Sequence, residues 1–282
     1  MRIGSSLSGA DLVAQHNLAQ AMALLNAASV RLSTMQRINR GADDPAGLIA
    51  MGQLEAELTS LEALDTSAGR MVGAIHVADS AMAEVGDLLN AIRGDVVEAA
   101  SAGLSEGEVA AKQMEIDAAL GAINRIGGST GLAGRPLLDG SYTLTLSPGA
   151  GPSSSLTLPE ISTAALGSNE ARLSELASGG SASLASGNFV GALKALDAAQ
   201  SQVLNARAEA GAFEQYTIQS TQRLLGNMEE SIASSIGQIR DTDVAAETSR
   251  LIRSQILVDA GISALRLTSQ SRRLASRLLS GP

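Results

Sequence analysis

Two close pairs of carboxylates, Asp43-Asp44 and Asp241-Thr242-Asp243, are the residues of this chain best spaced for chemistry. Such pairs serve elsewhere as general acid and base or as ligands for Mg²⁺. Neither pair has company here. His16 and His76 sit in separate helical stretches, cysteine is absent, and there is no H-E-x-x-H run, so no nitrogen–sulfur metal site is assembled. The 29 glycines form neither G-x-x-x-x-G-K-S/T nor a G-x-G-x-x-G turn after a strand. No nucleophile has a base beside it. The sequence predicts a protein that is not an enzyme and takes no cofactor and no metal.

Helix capping requires the same carboxylates at the same places and nothing more. Asp44 precedes Pro45, the pairing of an N-cap with a first-turn proline, and restarts a helix after the Gly41-Ala42-Asp43 break. Asp241 and Asp243 are placed to cap a C-terminal helix in the same way. The two ends therefore share one layout in mirror order: helix, acidic break, helix. That symmetry predicts termini lying side by side, with the middle of the chain looped out between them.

Composition agrees with a chain of packed helices. The 282 residues include no Trp, two Tyr and two Phe, yet 45% are apolar, mostly Ala, Leu, Ile, Val and Met. Without aromatic bulk, such a mixture suits helices packed closely side by side. Residues 1–40 and 240–282 each carry +3, and since the total is −9, residues 41–239 hold −15. The arginines at the ends are dispersed, with no cluster of four adjacent basic residues, so they read as solvated or interhelical charges rather than as a nucleic-acid surface. No run reaches the ~18 apolar residues that span a bilayer, and the first 30 residues lack the pattern of a cleaved secretory signal.

Positions 54, 58, 61, 65, 68, 71, 75, 78, 82, 85, 89, 92 and 96 alternate four- and three-residue steps, and only Asp65 interrupts an apolar seam. Six heptads without a slip predict a coiled coil, and a helix over roughly residues 47–101 would be a rod of about 80 Å at ~1.5 Å per residue. Val109, Ile116, Leu120 and Ile123 mark a shorter returning helix. A third seam runs through Leu196, Ala199, Val203, Ala206, Ala210, Phe213, Thr217, Ser220 and Leu224, then continues after a one-residue slip at Leu225, Met228, Ile232, Ser235 and Ile239. Period-two alternation in Tyr142–Leu146 and Ser155–Leu158, around a Pro/Gly-rich turn, predicts a β-hairpin. Residues 161–188 read as loop with one short helix. At the ends, Leu18, Leu25 and Leu32 sit seven apart with Met22 and Ser29 between them, while Ile252, Ile256, Leu265, Leu274, Leu278 and Leu279 form a less regular stripe. Seams this thin are marginal in water, so both ends are expected to order only against partners. The expected fold is mainly α: an elongated antiparallel coiled-coil bundle made by the two ends of the chain, with a small β-hairpin. Residues 1–40 with 243–282 would be terminal helices, 41–136 with 189–242 a rod, and 137–188 the hairpin and loop.

The terminal motifs resemble those of bacterial flagellins. They are Arg31-Leu32-Ser33, Arg37-Ile38-Asn39 and Asp43-Asp44-Pro45-Ala46-Gly47 at one end. At the other are Ile239-x-Asp241-x-Asp243-x-Ala245-x-Glu247, Gln255-Ile256-Leu257-x-x-Ala260-Gly261, Leu265 and Leu278-Leu279. The resemblance covers roughly residues 1–140 and 189–282. It implies terminal helices forming the inner core of an extracellular flagellar filament, in a minimal chain with a very short central region. It implies self-assembly through Leu18, Leu25, Leu32, Arg37, Ile38, Asn39, Asp43, Asp44, Ile239, Asp241, Asp243, Ile252, Ile256, Leu265, Leu278 and Leu279. The partners it implies are further copies, the flagellar export apparatus, an export chaperone, and hook-associated and cap proteins, with no nucleic acid and no membrane insertion. Two other readings stay open at this stage. One is a hook–filament junction protein; the other is a secreted coiled coil that binds membranes or a protein partner.

Some residues depart from the family pattern. Met35 stands where the family usually has Gly, the Gln-Ala-Asn and Pro-Gln elements after Leu265 are missing, and Arg272, Arg273 and Arg277 enrich the tail. The stretch Leu89-Asn90-Ala91-Ile92-Arg93-Gly94-Asp95 keeps only Leu89 and Arg93 of the segment that the innate Toll-like receptor senses in the family. Weak activation of receptor-bearing cells by purified monomer is the expected result, and strong activation at nanomolar concentration would contradict it.

Overall fold

A computed structural model of the chain describes residues 3–101, 103–147, 153–168 and 171–279, and of these the side chains of residues 3–8, 10, 272 and 275–279 are left out. The chain is mainly α. In order it runs α1 (Ile3–Thr34), α2 (Pro45–Ser101), α3 (Glu106–Ser129), β1 (Gly131–Leu132), β2 (Arg135–Pro136), β3 (Thr143–Leu146) and β4 (Ser154–Thr157). Two 3₁₀ turns follow at Leu173–Leu176 and Leu184–Ser186. Then come α4 (Phe189–Ala212), a π-helical turn at Phe213–Ile218, α5 (Gln219–Arg240) and α6 (Val244–Leu279). Two compact units result: Met1–Thr59 with Glu229–Pro282, and Ser60–Met228.

In the second unit the long seam of α2 is the spine. Ala68, Ile75, Ala78, Met82, Val85, Leu89, Ile92 and Val96 are all buried, joined by Ile116, Leu120 and Ile123 of α3 and by Ala192, Leu196, Ala199, Val203 and Ala210 of α4. Asp65, the polar break in the seam, accepts a hydrogen bond from Gln222 Nε2 at 3.3 Å. Charged pairs hold the helix faces in register. Arg207 reaches both carboxylate oxygens of Asp79 at 2.7 and 3.3 Å, and Arg93 pairs with Asp197. Lys112 of α3 sits among Asp95, Glu98 and Glu115 at 2.9–3.1 Å. The three carboxylates, Asp95 first, raise its pKa above the ordinary lysine value. A capping box between Ser105 and Glu108 starts α3, four residues after α2 ends.

The expected hairpin is present as β3 and β4, paired antiparallel from Thr143↔Thr157 to Leu146↔Ser154. Its turn, 148–152, lies outside the described residues. The segment expected to be loop is more structured than its Ser/Ala/Gly content suggests. Leu166, Leu173, Leu176 and Leu184 are buried, the 3₁₀ turns that carry the last three packing on α3 and α4, and the Gln113 side chain ties this segment down. Its amide donates to Leu176 O at 2.8 Å and accepts from Leu184 N at 2.8 Å. Gly127 of α3 lies so close to Ile161 that a Cβ there would meet the Ile161 carbonyl oxygen at 1.8 Å. Isolated leucines separated by small polar residues carry no period, which is why pattern alone missed this layer.

The expected third seam needs one correction. It holds through Ala210 and half-buried Phe213, but beyond that the buried positions are Ile218, Leu225, Ile232 and Ile236, while Ser220, Leu224 and Met228 are exposed. The one-residue slip lies in the π turn at 213–218 rather than at 224/225. A π turn closes i→i−5 hydrogen bonds and so adds one residue to a helix without breaking it. The Gln219 N–H accordingly donates to Glu214 O.

Candidate assembly surface

The site is built in the first unit from the acidic breaks outward. After α1, residues 35–37 run beside 240–242. Gln36 bridges Asp241 antiparallel, the Arg37 N–H donates to Arg240 O at 2.6 Å, and the Thr242 N–H donates to Met35 O at 3.1 Å. The Arg37 guanidinium adds two bonds to the Ile239 carbonyl, from Nε at 3.1 Å and Nη2 at 2.6 Å. It thereby satisfies one of the carbonyls left open at the C-terminus of α5, and its Nη1 lies 3.7 Å from Asp44. Arg37 and Ile239, 202 residues apart in sequence, are thus one clamp.

The carboxylates around it have separate duties. Asp44 caps α2 by accepting from the Gly47 N–H at 2.9 Å, and Asp243 caps α6 by accepting from Ala245 and Ala246 at 2.9 and 3.0 Å. Asp241 departs from its expected capping role: its carboxylate faces Arg240 at 3.4 Å, because its backbone is engaged in the bridge. Asp43 closes the 39–43 turn by accepting from the Asn39 and Arg40 N–H groups at 3.0 Å each. The Asn39 N–H first, then that of Arg40 and the charges of Arg31 and Arg40, hold its carboxyl below the usual range. Asn39 itself donates to Gln36 O, and Ile38 is buried beneath the turn. Among the described residues, no group of three His, Cys, Asp or Glu could hold a metal ion.

From the clamp, α1 and α6 run antiparallel as the most closely packed helix pair among the described residues. Two contacts set their register. Glu247, almost fully buried, lies 3.5 Å from Arg31 and 2.8 Å from Arg250, and a Cβ on Gly261 would lie 3.2 Å from Leu18 Cδ1. That register places Ala28 opposite Leu251, Leu25 opposite Ser254, Ala21 opposite Val258, Leu18 opposite Gly261 and Ala14 opposite Leu265. These residues are all buried or half-buried. At every layer a large side chain meets a small one, so the backbones approach closely. The ends therefore order against each other within one chain, where the expectation had them ordering only against partners.

The stripes expected from sequence are resolved differently. Leu18, Leu25 and Leu32 belong to the seam of α1, but Ala21 and Ala28 lie between them, not exposed Met22 and Ser29. The α6 stripe is two stripes. Leu251, Ser254, Val258, Gly261, Leu265 and Thr268 face α1, whereas Ile252, Ile256, Leu267 and Leu274 are 52–69% exposed. At ~100° per residue these four fall within about 60° of one another, on the side opposite the seam. Leu278 and Leu279 have side chains outside the described residues. Small residues hid the inner stripe, and the signal that reveals it is the strict 4-3 spacing from 247 to 268.

Clamp, close-packed terminal pair and second apolar stripe define a helical protein whose two ends form one surface. The N-terminal helical region of bacterial flagellin matches residues 6–143, and the C-terminal helical region of bacterial flagellin matches residues 193–279. The chain belongs to the bacterial flagellin family. It is 29% identical over 276 residues to the flagellin of Bacillus subtilis, covering 88% of this chain and 90% of that one. To polar flagellin F of Vibrio parahaemolyticus it is 33% identical over 142 residues, half of this chain and 38% of that protein. The chain thus spans under two fifths of the length of the Vibrio relatives that it matches. In fold it is similar to a flagellar hook-associated protein of Vibrio parahaemolyticus, with a TM-score of 0.62 at 13% identity over 71% of this chain and all of that one.

The departure at position 35 now has a physical meaning. Met35 adopts φ 58°, the left-handed region in which a side chain costs about 1–2 kcal/mol and glycine does not. The strain is held in place by the end of α1 before it and the bridge after it. Met35→Gly is expected to stabilise the terminal pair by up to about 1 kcal/mol, part of the relief being lost to the freer unfolded chain. Thermal melts of the two proteins check this, and an unchanged or lower midpoint would contradict it.

Proposed function

We propose that this protein is a structural subunit that polymerises into the extracellular bacterial flagellar filament and so serves motility. One observation carries the reading: α6 has a second apolar stripe, Ile252, Ile256, Leu267 and Leu274, on the face opposite the one it buries against α1. A helix apolar on two opposite faces has two partners, and the described residues of one chain supply only the first. Leu12, Val13 and Leu24 of α1 are exposed in the same way. The site residues at the clamp, Arg37, Ile38, Asn39, Asp43, Asp44, Ile239, Asp241 and Asp243, then act by holding the terminal pair in one geometry, so that every copy presents the same faces.

Energetics favour an open polymer over a dimer. Burying an aliphatic side chain contributes about 1.5–3 kcal/mol, while association costs about 4–15 kcal/mol. Contact with a single neighbour through a few such side chains leaves little surplus. A subunit that touches several neighbours through different faces meets the association cost once and gains at each contact, and such heterologous contacts build an open helix. In this reading the family's export apparatus, export chaperone, hook-associated and cap proteins are the further partners. Among the described residues no helix is long and apolar enough to cross a membrane.

Negative-stain microscopy of the concentrated protein tests the reading. Long filaments are expected from the full chain and none from a chain lacking residues 243–282. Ile256→Ser/Leu267→Ser, which alters exposed positions only, is expected to raise the concentration needed for filaments at least tenfold with helicity unchanged. Undiminished assembly of that variant, or robust liposome flotation at low salt without filaments, would overturn the reading.

A further inference from the structure

The segment after the π turn carries two overlapping seams offset by one residue. In the structure Ile218 and Leu225 are buried, Thr221 and Gln222 half-buried, and Ser220 and Leu224 exposed. One residue toward the N-terminus, Thr217, Ser220 and Leu224 continue the unbroken heptad of α4. The choice between the two rests on where the extra residue of the π turn is lodged. We propose that this turn migrates: the segment 217–225 has a second register, with the π turn moved to the neighbourhood of Leu224, in which Thr217 and Leu224 replace Ile218 and Leu225 on the buried face.

Four observations support a turn that moves rather than one that is locked. First, the side chains that change places are paired by kind at Leu224 and Leu225, so the swap leaves that layer filled. Second, Asp65 of α2, which receives a hydrogen bond from Gln222, would meet Thr221 in the shifted register, and Thr221 is also a donor. Third, hydroxyls already cover two carbonyls at the end of the turn: Ser220 Oγ donates to Tyr216 O and, at 3.1 Å, to Thr217 O, and Thr221 Oγ1 donates to Thr217 O at 2.8 Å. Either of these carbonyls, on losing its N–H partner as the turn passes, therefore keeps a donor. Fourth, there is no proline from 213 to 240, and a Cβ on Gly226 would meet nothing within 4 Å. Passage of the turn rotates the intervening residues by about 100°, which exchanges the side chains they present to solvent.

What sets the balance is a single layer. The shift exchanges fully buried Ile218 for Thr217, and the isoleucine favours the observed register. Swapping the two, Thr217→Ile/Ile218→Thr, reverses that preference without changing composition. The proposal stands independently of the assembly reading.

The chain has no cysteine, so single thiols report the register cleanly. With Leu224→Cys and Leu225→Cys made separately in the natural background, the thiol at 224 is expected to react with a maleimide at least tenfold faster than that at 225. In the Thr217→Ile/Ile218→Thr background the order is expected to reverse with helicity retained. The same order in both backgrounds would overturn the proposal. Should the swapped chain lose helicity, hydrogen exchange of the unaltered protein decides. Amides 219–225 exchanging together and faster than amides 199–210 support migration; protection equal to that of 199–210 overturns it.

Discussion

The antiparallel register of α1 against α6 is the constraint on which the terminal half of this molecule depends. Heptad seams are forgiving, since a slide of one heptad restores apolar contact. Here a slide of one heptad parts an ion pair, and the shorter slip of one layer meets a steric block. The carboxylate of Glu247 is buried between Arg31 of α1 and Arg250 of its own helix, and a slide would part it from Arg31 and leave it Arg250 alone, losing the interhelical half of a buried ion pair. The alternation of large and small residues, with Leu18 against Gly261 at its closest point, adds a steric ratchet, since a slip of one layer would set leucine against leucine. The clamp of Arg37 on Ile239 fixes the starting point of both helices.

From that register the exposed surface follows. The seam consumes one face of α6, and its other apolar face is left exposed. Small residues do double duty, because they bring the backbones together and keep the pair thin enough that the outer stripe stays accessible. The unit of Ser60–Met228 works differently. Its core is made of larger side chains, Ile75, Met82, Leu89, Ile92, Ile116, Ile123 and Leu196, all nearly inaccessible, and its ion pairs decorate rather than replace that core.

Much of this was legible in the sequence, for identifiable reasons. The α2 seam could be read because its buried side chains are large and never slip, and the β3–β4 hairpin because alternation is unambiguous beside a turn of Pro and Gly. The breaks at Asp43-Asp44 and Asp241–Asp243 could be read because capping chemistry is local. What escaped depends on contacts between distant residues. The inner stripe of α6 alternates Leu251, Val258 and Leu265 with Ser254 and Gly261, small residues that read as gaps until Leu25 and Leu18 of α1 are placed opposite them. The π turn was visible only as a slip, and its position is decided by Ile218 packing, which spacing cannot weigh. Arg37 was flagged by motif, yet its role lies in a carbonyl 202 residues away, and the meaning of Met35 appears only with its backbone angle.

The central claim, that one chain pairs its own ends in this register, is open to a direct chemical measurement. A Cβ on Gly261 would lie 3.5 Å from Leu18 Cβ, at the lower edge of the ~3.5–4.5 Å that a disulfide spans. Leu18→Cys/Gly261→Cys, oxidised mildly in dilute solution, is expected to give a disulfide within one chain, seen as a faster-migrating monomer on non-reducing gels. The locked chain is expected to retain assembly. Disulfide-linked dimers in its place, or two thiols that stay free, would show that the ends do not pair as described.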